Sequence, residues 1–333
     1  MKGKPSGPRR AVVAHVQTWR PYTLCYPALV GAAGAGVAGA HSAGVFAAAA
    51  GGPALGWLAG HYLGDYFDRD LDAIAKPQRP IPSGRLSART ALICGIGCAA
   101  GSAAVVITAN WRALLLFVLA MAGIVAYSRI CKGRGISGNL VRGAITTLAF
   151  LIGGMMAAPL PPWPVVVLSV IFLVHDTCSN LVGAVRDANG DGAGGYRSVP
   201  ASKGVPYAVR LSLLLYGIAV GLAALGALVV AHPGAYGALL VVAAALGCSG
   251  IVPLLWVSPG LIQVHALRAH QLLVVERLVL CCAVLAGGVP LPAALLVLAP
   301  VVLFSGLTQA AMRARHELPP ANRATTDRKA YQL

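Results

Sequence analysis

The sequence predicts an all-α fold, a polytopic transmembrane helical bundle of nine or ten spans, on three observations. First, 57% of the 333 residues are hydrophobic and only 11% are charged, where soluble domains average roughly 25% charged. Second, the apolar residues fall in runs of about twenty, the length that crosses a bilayer as a helix. Third, lysine and arginine gather in alternate connections between those runs, as they do in short cytoplasmic loops.

In chain order, residues 1–20 are basic and polar and read as a cytoplasmic N-terminal tail. No short apolar segment followed by a small-residue cleavage site opens the chain, so no cleaved signal peptide is expected. Ten apolar runs follow, near 21–41, 44–63, 89–109, 112–129, 139–159, 163–185, 207–231, 235–257, 270–289 and 291–312. Their abundant Ala and Gly let membrane helices approach closely, so residues 21–312 are expected to form one bundle. Residues 313–333 read as a basic, peripheral C-terminal tail.

Basic residues decide sidedness. They lie in the N-terminal tail, at 65–89, 129–134 and 186–210, around Arg268, and in the C-terminal tail, whereas 157–164, 231–234 and 287–290 carry none. Ten spans put every basic segment and both termini on the cytoplasmic side. The net charge of +16 therefore has a topological origin, and no nucleic-acid partner is expected. Eight cysteines sit mostly inside apolar runs, where they behave as small hydrophobes. Cys94 and Cys98 share a helical face without further ligands nearby, so neither zinc nor disulfides are expected.

The chain has only ten acidic residues, and six of them, Asp65, Asp68, Asp70, Asp72, Asp187 and Asp191, occupy two loops that each follow a span on the basic side. At about 100° per residue, Asp65, Asp68 and Asp72 share one helical face and Asp70 points nearly opposite. Like charges on one face repel. A divalent cation cancels the repulsion, and carboxylate oxygens shared with substrate phosphates suit Mg²⁺. Asp70 reads as solvated or paired with Arg69.

Asp187 and Asp191 are four residues apart and share a face until Gly190 and Gly192 loosen the turn. Asp187, Asn189, Asp191 and Gly192 also copy the opening of a calcium-binding EF loop, but that loop closes with Glu where this chain has Ser198. The bland alternative for both clusters is a solvated loop whose acids balance nearby bases. Against it stand the shared face, the repetition after two spans, and cations at Lys76, Arg79 and Lys132 placed to meet an anion.

Within the spans, Asp176 is expected either to face a cavity or to pair across helices, with His175 and Arg142 as the candidate partners. Glu276 is expected to pair with Arg277 or to lie near the cytoplasmic edge. His61 reads as a packed histidine ahead of a base.

At these residues the chain resembles the UbiA superfamily of intramembrane prenyltransferases. Asp65, Asp68 and Asp72 match its first motif, Asn-Asp-x-x-Asp-x-x-x-Asp, with Gly64 in place of Asn. Lys76 and Arg79-Pro80-Ile81-Pro82-Ser83-Gly84 look like the continuation of that motif. Asp187 and Asp191 match the second motif, and the frame of Asn180, Arg186, Gly195, Ser198 and Gly204 looks like the naphthoate and ether-lipid branches. Tyr127 through Lys132, followed by Gly138-Asn139, is similar to the family's loop with a diphosphate-binding lysine, and Trp19-Arg20-Pro21 resembles the Arg-Pro near its first helix.

The resemblance implies a central apolar cavity for an isoprenoid tail, capped by cytoplasmic loops that hold its diphosphate. It implies one Mg²⁺ on Asp65, Asp68 and Asp72 and another on Asp187 and Asp191. Lys76, Arg79, Lys132 and Arg186 would face the diphosphate, with Arg20, Tyr127, Asn139 and Asn180 also at the substrate. Gly64 leaves fewer metal ligands, a place water can fill. The expected partners are an isoprenyl diphosphate, an acceptor of unknown identity and membrane lipids. Two rivals remain: a terpene cyclase that ionises the same diphosphate without an acceptor, and a non-catalytic transporter or scaffold.

Overall fold

The computed structural model describes residues 8–313, and these residues are helical almost throughout. Helix α1 (Pro8–Trp19) leads into α2 (Pro21–Val37), α3 (Ala43–Phe67) and the short α4 (Arg69–Ala75). Then come α5 (Ala88–Asn110), α6 (Leu114–Ala126), α7 (Ser137–Met155) and the long α8 (Trp163–Ala193). The short α9 (Val199–Lys203) precedes α10 (Val205–Gly226), α11 (Pro233–Ile251), α12 (Ile262–Gly288) and α13 (Leu291–Thr308).

Each of the ten expected spans is helical, as the apolar runs predicted. Eight runs among the described residues are long and apolar enough to cross a membrane. The difference has two causes. Helix α2 has only 17 residues, and α5 with α6 forms one run of 44 residues, Ala88–Cys131. That run is broken at Asn110, whose extended backbone (φ −158°, ψ 95°) turns the chain back on itself. The Asn110 side chain donates to the carbonyls of Met155, Ala158 and Pro159, tying this turn to the one between α7 and α8.

Two boundaries differ from expectation. Residues 8–19, read as tail, form α1, because Ala14 and Thr18 are fully buried and both His15 and Trp19 hydrogen-bond the Tyr62 hydroxyl, at 2.7 and 2.6 Å. Arg313, assigned to the C-terminal tail, is buried and belongs to the bundle; the rest of that tail lies outside the described residues.

Helices start where chemistry allows. Ser42 and Ser87 cap α3 and α5 by accepting from Val45 and Thr90 backbone N–H groups, and prolines open α2, α8, α11 and α13, where a missing N–H does no harm. Close approach of α2, α3 and α7 depends on glycine. A Cβ on Gly31 would collide with the Ala49 carbonyl, and one on Gly153 with the Gly31 carbonyl, so the backbones touch as small-residue membrane interfaces do. Helix α12 runs through the centre, with residues 278–286 buried at every position. Outer residues such as Leu115, Leu214, Val241 and Leu296 are exposed, the face a bilayer would cover.

At one end of the bundle the loops after α6 and α8 join in a two-residue parallel ladder, β1 (Arg134–Gly135) with β2 (Arg197–Ser198), pairing Arg134 with Arg197 and Gly135 with Ser198.

Candidate active site

Helices α2, α3, α6, α7, α8 and α12 line a cavity of about 240 Å³ that reaches Ser198 of the ladder. At its mouth Arg20 breaks the chain between α1 and α2. It is the one non-glycine residue with positive φ (48°) among the described residues, a conformation that costs on the order of 1–3 kcal/mol. Its side chain shows what holds it: Nη2 donates to Asp65 at 2.6 Å and Nη1 lies 3.2 Å from His61 Nδ1. The Thr23 hydroxyl donates to the Arg20 carbonyl and contacts His61 Nε2 at 3.2 Å. His61 is therefore a hydrogen-bonded, packed histidine, further fixed by an edge-on Trp57.

The first acid motif straddles the junction of α3 and α4. Asp65, Asp68 and Asp72 are all buried, and the nearest cation of each is a different one, although Arg79 also comes within 3.9 Å of Asp65. Asp65 meets Arg20; Asp68 accepts from Lys132 at 2.7 Å; Asp72 takes both bonds of Arg79 Nη1, at 2.9 and 2.8 Å. Asp72 and Lys76 do not reach the cavity wall, because Arg79 stands in front of Asp72 and Lys76 is drawn 3.0 Å from Asp187. Asp70 is 90% exposed, beside Arg69, as expected.

The second motif stays helical, since α8 runs through Gly190 to Ala193. Gly190 makes room for α4 where loosening was expected: a Cβ there would stand 3.0 Å from that of Ala75, and one on Gly194 would strike Leu71. A continuous helix also leaves no EF loop. Asp187 is gripped by Arg186 at 2.6 Å and by Lys76, so the two motifs touch directly. Lys132 lies between them, after a π-helical turn over Tyr127–Cys131, with Tyr196 beneath it. Burial pushes the Lys132 ammonium down, but the Asp68 carboxylate outweighs this and holds it above its ordinary value.

Asp65, Asp68, Asp187 and Asp191 all line the cavity, together with Arg20, Arg79, Lys132 and Arg186. Tyr127, Asn139 and Asn180 line it too, and Asn139 Nδ2 donates to Asn180 at 2.9 Å. Gly64 faces open space, its nearest neighbour being Ser128 Oγ at 4.0 Å from a Cβ. Deeper in, one wall is apolar, with Phe117, Met121, Ile124, Ile145 and Ile152.

Asp176 both faces the cavity and pairs across helices, accepting from Tyr26 at 2.6 Å and from Thr146. Glu276 departs from expectation. It is fully inside the bundle, bonded to His175 at 2.7 Å and Tyr216 at 3.1 Å, not to Arg277. Arg142, Arg277 and Arg313 line the cavity and were not singled out as site residues. For Arg142 and Arg277 the signal was available, because an ionisable side chain in an apolar run is a functional candidate.

No three carboxylate, imidazole or thiol groups cluster as a preformed metal site among the described residues. The donor chemistry nonetheless fits Mg²⁺. Asp65 Oδ2 and Asp68 Oδ1 are buried without a hydrogen-bond partner, and oxygen donors shared with a phosphate are what this ion takes.

The family model described as the UbiA prenyltransferase family matches residues 24–258. Among curated proteins, the chain is similar to the digeranylgeranylglyceryl phosphate synthase of Natronomonas pharaonis, 35% identical over 43% of this chain and 51% of that protein. The enzyme of the same name from Methanothrix thermoacetophila is 32% identical over 48% of this chain and 60% of that protein. The chain thus spans little more than half the length of these relatives. Among solved structures, a UbiA homolog from Archaeoglobus fulgidus bound to DMAPP and Mg²⁺ superposes with TM-score 0.63 at 20% identity, covering 80% of this chain and 98% of that one. A UbiA homolog from Aeropyrum pernix K1 gives TM-score 0.63 at 20% identity, covering 78% and 96%. At that identity the likeness speaks for the fold.

Proposed function

Because the chain belongs to the UbiA prenyltransferase family, we propose that it ionises an isoprenyl diphosphate with Mg²⁺ and passes the prenyl group to a lipophilic acceptor. The observation that carries this reading is the convergence of both acid motifs and four cations on one cavity whose far wall is apolar. A tail lies against that wall and a diphosphate at the mouth.

Asp65 and Asp68 would hold one Mg²⁺ and Asp187 and Asp191 the other; Asp72, bonded to Arg79, would join the first set only on release of that pair. When bound, the metals withdraw charge from the departing diphosphate. Arg79, Lys132 and Arg186 cover the same growing charge from fixed positions, so the donors need little reorganisation as the bond breaks. The allylic C–O bond breaks with its electron pair on the diphosphate, and the acceptor attacks the carbon and loses a proton. The apolar wall keeps water from the cation.

Membranes holding the full chain, given geranyl, farnesyl and geranylgeranyl diphosphates with Mg²⁺, should release no terpene hydrocarbon and should form a prenylated product only when an acceptor is added. Product mass spectra check this. Hydrocarbon formed without any acceptor selects the cyclase, and no diphosphate turnover with any acceptor leaves the transporter or scaffold.

The site mouth and both termini are proposed to be cytoplasmic, on the distribution of Lys and Arg. In sealed inside-out vesicles, an impermeant maleimide should label Asp70→Cys and spare Leu160→Cys, with labelled peptides read by mass. The reverse pattern inverts the topology.

A further inference from the structure

Helix α1 has two apolar faces, and the bundle covers only one of them. Ala14 and Thr18 are buried, Ala14 in a cluster with Tyr62 of α3, Leu86 and Ala91 of α5. At about 100° per residue, Val12, Val13, Val16 and Trp19 point the opposite way. Val12 is 63% exposed, Val13 46% and Trp19 37%. A helix with that face in water would carry polar residues there. Arg9 and Arg10, both exposed, stand in its first turn.

The depth of α1 follows from what it packs on. Tyr62 lies within two turns of the end of α3 at Phe67, and Ala91 in the first turn of α5. The helix therefore sits where two spans meet the bilayer surface. Trp19 suits that level, since its Nε1 donates to the Tyr62 hydroxyl while its ring is partly exposed, as indoles are at the membrane–water boundary.

The same helix is tied to the cavity mouth at two places. Gln17 Oε1 accepts from Arg85 Nη1 at 2.5 Å, and Arg85 Nη2 donates to the Gln78 carbonyl at 2.5 Å, directly before Arg79. At its C-terminal end α1 passes into Arg20, whose left-handed backbone is held by Asp65, and the Thr23 N–H closes that turn on the Arg20 carbonyl at 2.8 Å.

We propose that α1 is an interfacial helix that binds the anionic phospholipid headgroups of the inner leaflet, and that this docking steadies the Arg20 turn at the cavity mouth. A negative leaflet attracts Arg9 and Arg10, preceded in the sequence by Lys2 and Lys4, while Val12, Val13 and Trp19 enter the boundary between headgroups and acyl chains. Each basic side chain near such a surface raises the docked population roughly fivefold. The long arginine stems lie along the apolar face and carry their charges to the phosphates. The leaflet is the cytoplasmic one proposed above, and the assignment stands whether or not the chain consumes a diphosphate.

The test is amide hydrogen exchange of the full chain, one copy per nanodisc, in phosphatidylcholine and in phosphatidylglycerol, read by peptide mass. Exchange across residues 9–19 should be about tenfold or more slower in phosphatidylglycerol, and the peptide holding the Thr23 amide should slow with it. Arg9→Gln with Arg10→Gln should remove most of that difference, while residues 278–286 of α12 exchange alike in every sample and show that the bundle is intact. Equal exchange of residues 9–19 in the two lipids overturns the docking, and so does a difference that survives the double substitution. Protection of α1 without any change at Thr23 overturns its link to the cavity mouth.

Discussion

Asp68→Asn is expected to lower turnover of an isoprenyl diphosphate by about 10²–10³-fold, the loss seen when one group that stabilises developing charge is removed. Asp68 is the acid whose two oxygens divide the work: one accepts from Lys132 and the other is buried, unpartnered and at the cavity. Asparagine keeps the size and one carbonyl oxygen but loses the charge that makes it a ligand for a hard cation. The fall should appear in kcat, because the apolar wall still binds the tail. Steady-state kinetics with varied Mg²⁺ check it, and raising Mg²⁺ should restore little.

Lys132→Met should be nearly as severe, roughly 10²-fold in kcat, since it removes a cation from between the two acid motifs and leaves Asp68 with one neighbour fewer. The pH behaviour follows from the direction of the shift. Asp68 holds the Lys132 ammonium above its ordinary value of 10.5, so its contribution to stability is present below that pH and is lost only as pH rises through the still higher folded value. Between about pH 6 and 9 the ion pair should therefore be constant, and no alkaline limb of the rate in that window belongs to Lys132. A rate profile of the unaltered chain, with unfolding temperature followed in parallel, tests both statements.

The bundle was legible because a chain with so little charge has no other way to satisfy its backbone in a bilayer than helices, and the basic loops alternate. Helix α1 was not, because a short helix with Arg9 and Arg10 on it reads as a solvated tail until Tyr62, from a distant span, supplies its partner. The acids of both motifs were visible from spacing. Their pairing was not: seven residues separate Asp72 from Arg79, and only the turn after α4 brings them together. Glu276 shows the same limit, since the neighbour in sequence, Arg277, points to the cavity while the true partners come from α8 and α10. Arg142 and Arg277 sit in largely apolar runs, and a single sequence does not say whether such an arginine faces lipid, a partner or a cavity. Helix packing decides it, through the aromatic rings that receive them.

In the proposed reaction, two carboxylate sets close on one diphosphate through bound metal. Electron paramagnetic resonance titration with Mn²⁺, in the presence of a thiolo-diphosphate analogue that does not ionise, reads it most directly. About two ions should bind per chain only when the analogue is present, and Asp68→Asn and Asp187→Asn should each remove one. A single ion that survives the loss of Asp187, or binding indifferent to the analogue, would contradict the account.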